Sequence, residues 1–258
     1  MTAALQELGL LVLRFVEHLG RITAFTGEIL RAVFTPPNRL RAFLNEIYNL
    51  GVLSLIIICV SGLAVGMVLG LQGYNTLVRF GAENSLGAVV GLSLIRELGP
   101  VLTALLATGR AGSATAAEIG TMVATEQLDG LRMMSINPVH LVVMPKTLAM
   151  LCVMPLLSAL FIVFGLAGGY FVGVTLMGLD GGTYVASLEN AVDYYDDVVG
   201  SLLKALVFGL LVGLIATYRG YTSAPTSAGV SAATTSTVVV GSVAVLIFDY
   251  FITALWGV

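Results

Sequence analysis

The sequence predicts an all-α integral membrane protein, with an N-terminal amphipathic helix lying at the membrane interface and five transmembrane helices after it. Three observations carry that prediction. Only 12 basic and 15 acidic residues occur among 258, a charged fraction of 10% that cannot cover a water-facing surface. Hydrophobic types make up 57%, and they arrive in long uncharged runs. Nine of the charges fall within residues 1–46, so the chain divides into 1–46, an interfacial helix with its linker, and 47–258, a transmembrane domain.

Each element follows in order. Across residues 5–34, Glu7, Arg14, Glu17, Arg21, Glu28 and Arg31 share one arc of a helix, while Leu8, Leu11, Phe15, Leu19, Ile22 and Ile29 cover the other side. Such a helix lies in the headgroup plane; the rival reading is a helix packed on a soluble partner. Glu17 and Arg21 are spaced for an i,i+4 pair. Thr35-Pro36-Pro37-Asn38 ends the helix, because proline lacks an N–H and restricts the residue before it. Residues 47–78 carry no charge. A span needs only about 20 residues, so this run holds one span plus an outer extension around Gln72-Gly73-Tyr74. Gly62, Gly66 and Gly70 recur every fourth residue within it, one face on which another helix can approach closely.

Residues 84–109 form the second span, interrupted by Arg96 and Glu97, and residues 110–146 read as a cytoplasmic loop with a short helix of its own. Residues 147–179 form the third span, with Pro155 as a kink and Gly165, Gly169 and Gly173 as a second close-packing stripe. The stretch 180–197 is acidic and loop-like; spans four and five cover 198–218 and 230–256, the last carrying Asp249 near its end. Placing the N-terminus in the cytoplasm puts Arg14, Arg21, Arg31, Arg39, Arg41, Arg110, Arg132, Lys146 and Arg219 inside, and leaves the acidic stretch and the C-terminus outside.

Several functions are excluded or disfavoured at this level. A net charge of −3 and the lack of any Lys/Arg run give no footprint for nucleic acid. Cys59 and Cys152 sit in apolar runs, and His18 and His140 are isolated, so neither a disulfide framework nor a metal site is expected. The only lysines, Lys146 and Lys204, follow no glycine-rich loop, so the chain has no P-loop of its own. The N-terminus shows no cleavable signal pattern. The protein is therefore expected not to be an enzyme; ATP and Mg, where used, would be held by a partner.

Two constellations remain. Adjacent charges at Arg96 and Glu97 within a span are costly, at about 2.5–3.5 kcal/mol each on insertion scales. Residues i and i+1 do not face each other on a helix. The two side chains thus reach different partners or line a wet cavity, unless the span starts near Leu92 and the pair sits at the outer headgroup level. The second constellation is 116–134, where Glu118, Gly120, Thr121, Glu126, Gln127 and Asp129 are mixed with Ile119, Met122, Leu128, Leu131, Met133 and Met134. An acidic helix with exposed methionines suits docking to a cytosolic partner, and an ordinary solvated helix is the alternative.

Ile95-Arg96-Glu97-Leu98-Gly99-Pro100, Gly109-Arg110-Ala111-Gly112-Ser113, Ala117-Glu118-Ile119-Gly120-Thr121-Met122 and Thr125-Glu126-Gln127 together resemble the signature of the MlaE permeases, membrane subunits of Mce-type ABC lipid transporters. Asn190-Ala191-Val192-Asp193 and Pro225-Thr226-Ser227-Ala228-Gly229-Val230-Ser231 resemble the Mla branch of that family. At Ala232 and Ser236 the chain departs from relatives that often carry basic residues there. The resemblance implies a bacterial inner-membrane homodimer that moves phospholipid to or from a periplasmic carrier and maintains outer-membrane asymmetry. Its implied partners are cytosolic ABC ATPase subunits, a STAS-domain subunit and a hexameric periplasmic MCE-domain protein. In that frame Leu69, Tyr74, Leu77 and Phe80, with Arg96 and Glu97, contact lipid; Glu118, Gly120, Thr121, Glu126 and Asp129 couple to the ATPase; and the glycine stripes join two copies. The rivals are an ion-coupled transporter or channel using Arg96, Glu97 and Asp249, and a scaffold that only anchors other subunits.

Overall fold

The computed structural model describes residues 2–34 and 40–256, with side chains before Gly20 described only at Leu13, Val16 and Glu17. Among these residues the chain is helical throughout: α1 (Thr2–Phe34), α2 (Leu40–Leu50), α3 (Leu55–Leu77), α4 (Leu86–Ser93), α5 (Gly99–Ala107), α6 (Ser113–Ala124), α7 (Gln127–Met133), α8 (Met144–Tyr170), α9 (Gly181–Ala191), α10 (Gly200–Tyr221) and α11 (Ser227–Trp256). Five continuous helical segments are long and apolar enough to cross a bilayer: Leu40–Phe80, Glu83–Ala124, Val139–Leu176, Tyr194–Tyr221 and Ser227–Leu255. This is the all-α, five-span architecture expected.

The two glycine stripes meet each other. Gly62 packs on the backbone of Phe161, Gly66 on Gly165, and Gly70 on Gly169 and Val172; a Cβ on Gly66 would lie only 1.8 Å from the Gly165 carbonyl oxygen. Small residues let α3 and α8 approach backbone to backbone, so dispersion contacts replace the hydrophobic drive that lipid cannot supply. The expectation that these stripes join two copies is thereby corrected, because both faces are used within one chain. Gly173 packs elsewhere, against Leu86 and Tyr184.

A second layer joins α8, α10, α11 and the second span. Leu50, Val101, Ala104, Met150, Met154, Phe208, Val212 and Val245 form its buried core. The helix runs on through Pro155, which stands inside α8. Three corrections concern loops. Residues 110–124 continue the second span as α6, and Lys146 is buried in α8 rather than solvated in a loop. The acidic stretch 180–197 folds into α9 and a π-helical turn over Tyr194–Val199. Asp180 caps α9 by accepting from the Thr183 N–H at 2.8 Å, and these bonds hold its carboxyl below the usual carboxylate range. The Tyr184 ring then packs beside Gly173 with its hydroxyl near Gly169, and burial pushes its phenol up to about 12.

Helix α1 docks by its C-terminal half. Phe25 and Ile29 are buried with Val139, Val143 and Tyr218, and Asn137 donates to Glu28 at 3.0 Å. The Pro36-Pro37 terminator and the apolar stripe at Leu8, Leu11, Phe15 and Leu19 lie outside the described residues or side chains. The proposed division at residue 46 falls inside α2, which turns through a short 3-10 segment at Val52–Ser54 into the first span.

Close packing at Gly66 makes a direct prediction. Gly66→Ala forces the α3–α8 backbones apart and lowers the apparent melting temperature in detergent by the equivalent of about 1–3 kcal/mol. Gly109→Ala, whose Cβ meets nothing within 4 Å, leaves it unchanged. Equal melting of both variants and the parent would refute the close-packed interface.

Candidate functional site: a buried ionic network and an exposed knob

Arg96 and Glu97 lie in a π-helical turn, Leu94–Leu98, between α4 and α5. As expected for neighbours on a helix, they reach different partners. Arg96 Nε donates to Asp197 Oδ1 at 2.5 Å. The other Asp197 oxygen accepts the Asp193 N–H at 2.8 Å, and the Asp197 side chain is fully buried. Glu97 Oε1 accepts from Lys204 Nζ at 2.9 Å and from Thr253 Oγ1 at 3.2 Å. Lys204 Nζ donates as well to the Arg96 carbonyl at 2.9 Å and to Thr253 Oγ1 at 2.8 Å, with Asp249 Oδ1 3.6 Å away. A π turn frees a backbone carbonyl from the regular ladder, which is why Lys204 finds one to bond.

This network ties spans two, four and five together at one end of the bundle. Beside it lies a small opening lined by Arg96, Glu97, Asp196, Asp197, Ser201 and Lys204, among others. The Arg96 side chain is 36% exposed although its Nε is engaged. The side chain also lines the opening, which puts a guanidinium within reach of an anionic headgroup. Sequence reasoning missed Asp197 and Thr253 and gave Lys204 no role. The available signal was the lysine itself: an ammonium inside a span demands acceptors, and the nearest acids were at 97, 197 and 249.

The other end of the bundle carries its own ion network. Lys146 Nζ, 3% exposed, bridges Glu46 at 2.8 Å and Glu118 at 2.7 Å. Arg110 donates to the Asn49 carbonyl and to Ser54 Oγ, both at 2.8 Å, satisfying a carbonyl left open at the C-terminal end of α2.

The segment 116–134 is two helices, not one. Glu126, with φ at 58°, breaks it into α6 and α7. Glu118 is exposed while bonded to Lys146, whereas Gly120 is buried against Ser223 and Val230, so Glu118 stays on the exposed acidic face and Gly120 does not. Thr121 and Glu126 are exposed, while Asp129 pairs with Arg132 at 2.7 Å. Arg132 also donates to the Tyr221 hydroxyl at 2.6 Å and lies over its ring, and the phenol raises the guanidinium's pKa above its ordinary value. Met133 and Met134 stand exposed at the tip.

Of the apolar residues expected against lipid, Phe80 is exposed, whereas Leu69, Tyr74 and Leu77 are half-buried on the chain's own core. None of the four lines the cavity at Arg96 and Glu97.

Five helices able to span a bilayer, an ionic network between them and an exposed knob at the opposite end define a polytopic helical membrane protein. The chain belongs to the MlaE permease family: the family profile described as Permease MlaE matches residues 43–255. It is 46% identical to the intermembrane phospholipid transport system permease protein MlaE of Haemophilus influenzae, over 97% of this chain and 96% of that protein. A probable ABC transporter permease protein of Rickettsia bellii is 38% identical over 97% of this chain and 96% of its own length. The chloroplastic protein TRIGALACTOSYLDIACYLGLYCEROL 1 of Arabidopsis thaliana is 29% identical over 90% of this chain and 66% of that protein.

The network predicts an asymmetry between single and paired substitutions. Asp197→Asn leaves Arg96 without its charged partner and destabilises the detergent-solubilised protein by about 3 kcal/mol. Arg96→Met combined with Asp197→Leu recovers most of that loss in a thermal melt. A double variant less stable than the single one would show that the pair does not act as a unit.

Proposed function

We propose that this chain is the permease subunit of an ATP-driven phospholipid transporter, moving lipid between the inner membrane and a periplasmic carrier and so maintaining outer-membrane lipid asymmetry. The observation that carries the reading is the coincidence of 46% identity to a phospholipid permease along nearly the whole chain with a half-exposed arginine held on a buried acid. A phospholipid offers what that site lacks, a phosphate for the terminal nitrogens of Arg96 and acyl chains for the exposed apolar faces of the spans.

In this reading the N-terminus is cytoplasmic and the C-terminus periplasmic, so the Arg96 network lies toward the periplasm. Two copies together enclose the lipid path, since five helices are too few to surround a two-chain lipid. ATP is bound by cytosolic ABC ATPase subunits, a STAS-domain subunit joins them, and a hexameric MCE-domain protein receives or delivers lipid outside. The ATPase grips the knob at Thr121, Glu126, Met133 and Met134. Its motion passes through α6 to the Lys146 bridge, which connects Glu118 to Glu46 at the base of the first span. Headgroup and chain thus meet different parts of one path: the phosphate at Arg96, the acyl chains along the outer first span near Phe80.

Two measurements test this. In complexes reconstituted between donor and acceptor vesicles, Arg96→Gln with Asp197→Asn, which keeps the pair uncharged and matched, lowers phospholipid transfer at least tenfold while the complex still assembles. Transfer at the parental rate would remove Arg96 from the path. Separately, Met133→Asp with Met134→Asp abolishes co-purification of the ATPase while the solubilised chain melts normally, and full recovery of the ATPase would remove the knob from that interface.

A further inference from the structure

A cleft lies at the opposite end of the bundle from Arg96, between α1, α10 and α11. Ile22, Phe25 and Thr26 of α1, Leu214, Ile215, Tyr218 and Arg219 of α10, and Val240 of α11 line this open cleft. Its walls are apolar and aromatic. Phe25 meets Tyr218 edge-on at 5.4 Å, and the Thr26 hydroxyl is engaged by the Ile22 carbonyl at 2.9 Å. Arg219 is therefore the one group in the lining with a charge to offer. Among the described residues it has no ion-pair partner, whereas Arg21, beside Ile22, is already paired with Glu17 at 2.5 Å. Arg219 sits near the end of α10, and Ile215 and Leu214 lie about 6 and 7.5 Å further along that helix at 1.5 Å per residue. The cleft thus has a cation near its helix end and an apolar floor further in.

From this arrangement we infer that the cleft holds one anionic phospholipid of the surrounding leaflet, its phosphate on Arg219 and one acyl chain between α1 and α10. Charge complementarity selects the occupant: a peptide or a second copy would need an acid at the same depth as the apolar floor, whereas an anionic lipid presents its phosphate directly above its chains. The bound lipid bridges α1 to the spans, adding to the contact that Phe25 and Ile29 make. The inference requires only that the chain spans a membrane, so it stands or falls separately from the transport reading.

The full chain is placed in nanodiscs of equal phosphatidylglycerol and phosphatidylcholine and examined by native mass spectrometry under increasing activation. The parent retains one phosphatidylglycerol per chain in preference to phosphatidylcholine. Arg219→Gln loses a charge-assisted contact, and retention falls about tenfold. Ile215→Trp, which fills the floor, produces a comparable loss, while Arg79→Gln, an exposed arginine at the other end of the first span, changes nothing. Inorganic phosphate added to phosphatidylcholine nanodiscs does not bind, because the chain supplies much of the affinity. Equal retention of the two lipids by the parent, unchanged retention in both cleft variants, or a change in the monomer–dimer ratio with Ile215→Trp at constant lipid retention would each overturn the assignment.

Discussion

A lysine ammonium inside a membrane protein must be surrounded by acceptors, and the way Lys204 is surrounded organises one whole end of this molecule. Its nitrogen draws on Glu97 and a backbone carbonyl from the second span, and on Thr253 and Asp249 from the fifth. Arg96, one residue from Glu97, is held in turn by Asp197, just before the helix that carries Lys204. Lys204 and Asp197 are buried and cannot be left alone without a penalty on the order of several kcal/mol, so the three helices must keep their register at this level. The π-helical turns at Leu94–Leu98 and Tyr194–Val199 are the local expression of that constraint. They place neighbouring side chains and a free carbonyl where a regular helix would not.

The remaining spans are held by a different force. Glycines on α3 and α8 bring two backbones into contact with no charge involved, making a stiff pair beside the ionically clasped group. The two kinds of joint suit different duties. Close-packed glycine faces have a single good arrangement, whereas ion pairs at a half-exposed site can exchange a protein partner for a ligand phosphate. The same division recurs at the knob end. There Lys146 and Arg110 tie α6 and the second span to the base of the first.

Much of this was legible in the sequence, for identifiable reasons. Uncharged runs longer than a bilayer needs gave the number of spans, and a period of four in small residues marked both glycine stripes. Their mutual contact was hidden because it joins Gly66 to Gly165, and nothing local records that separation. Arg96 and Glu97 stood out because charge in a span is costly. Asp197 did not, because it follows a run of acids with the composition of a solvated loop, and only the fold buries it. Gly120 reads as part of a docking face because 116–134 lacks long apolar runs. Ser223 and the start of α11 cover it, and past the break at Glu126 the exposed surface that Glu118 shares extends to Met133 and Met134.

The central claim is that the network at Arg96 both clasps three spans and presents a cation to the headgroup of the transported lipid. The most direct measurement is density for co-purifying phospholipid in the structure of the assembled complex, with its identity fixed by mass spectrometry. The account predicts a phosphate within hydrogen-bonding distance of the terminal nitrogens of Arg96, acyl chains along the outer part of the first span, and Lys204 still bonded to Glu97. Lipid whose headgroup lies away from this cavity, with Arg96 fully enclosed by protein, would contradict it.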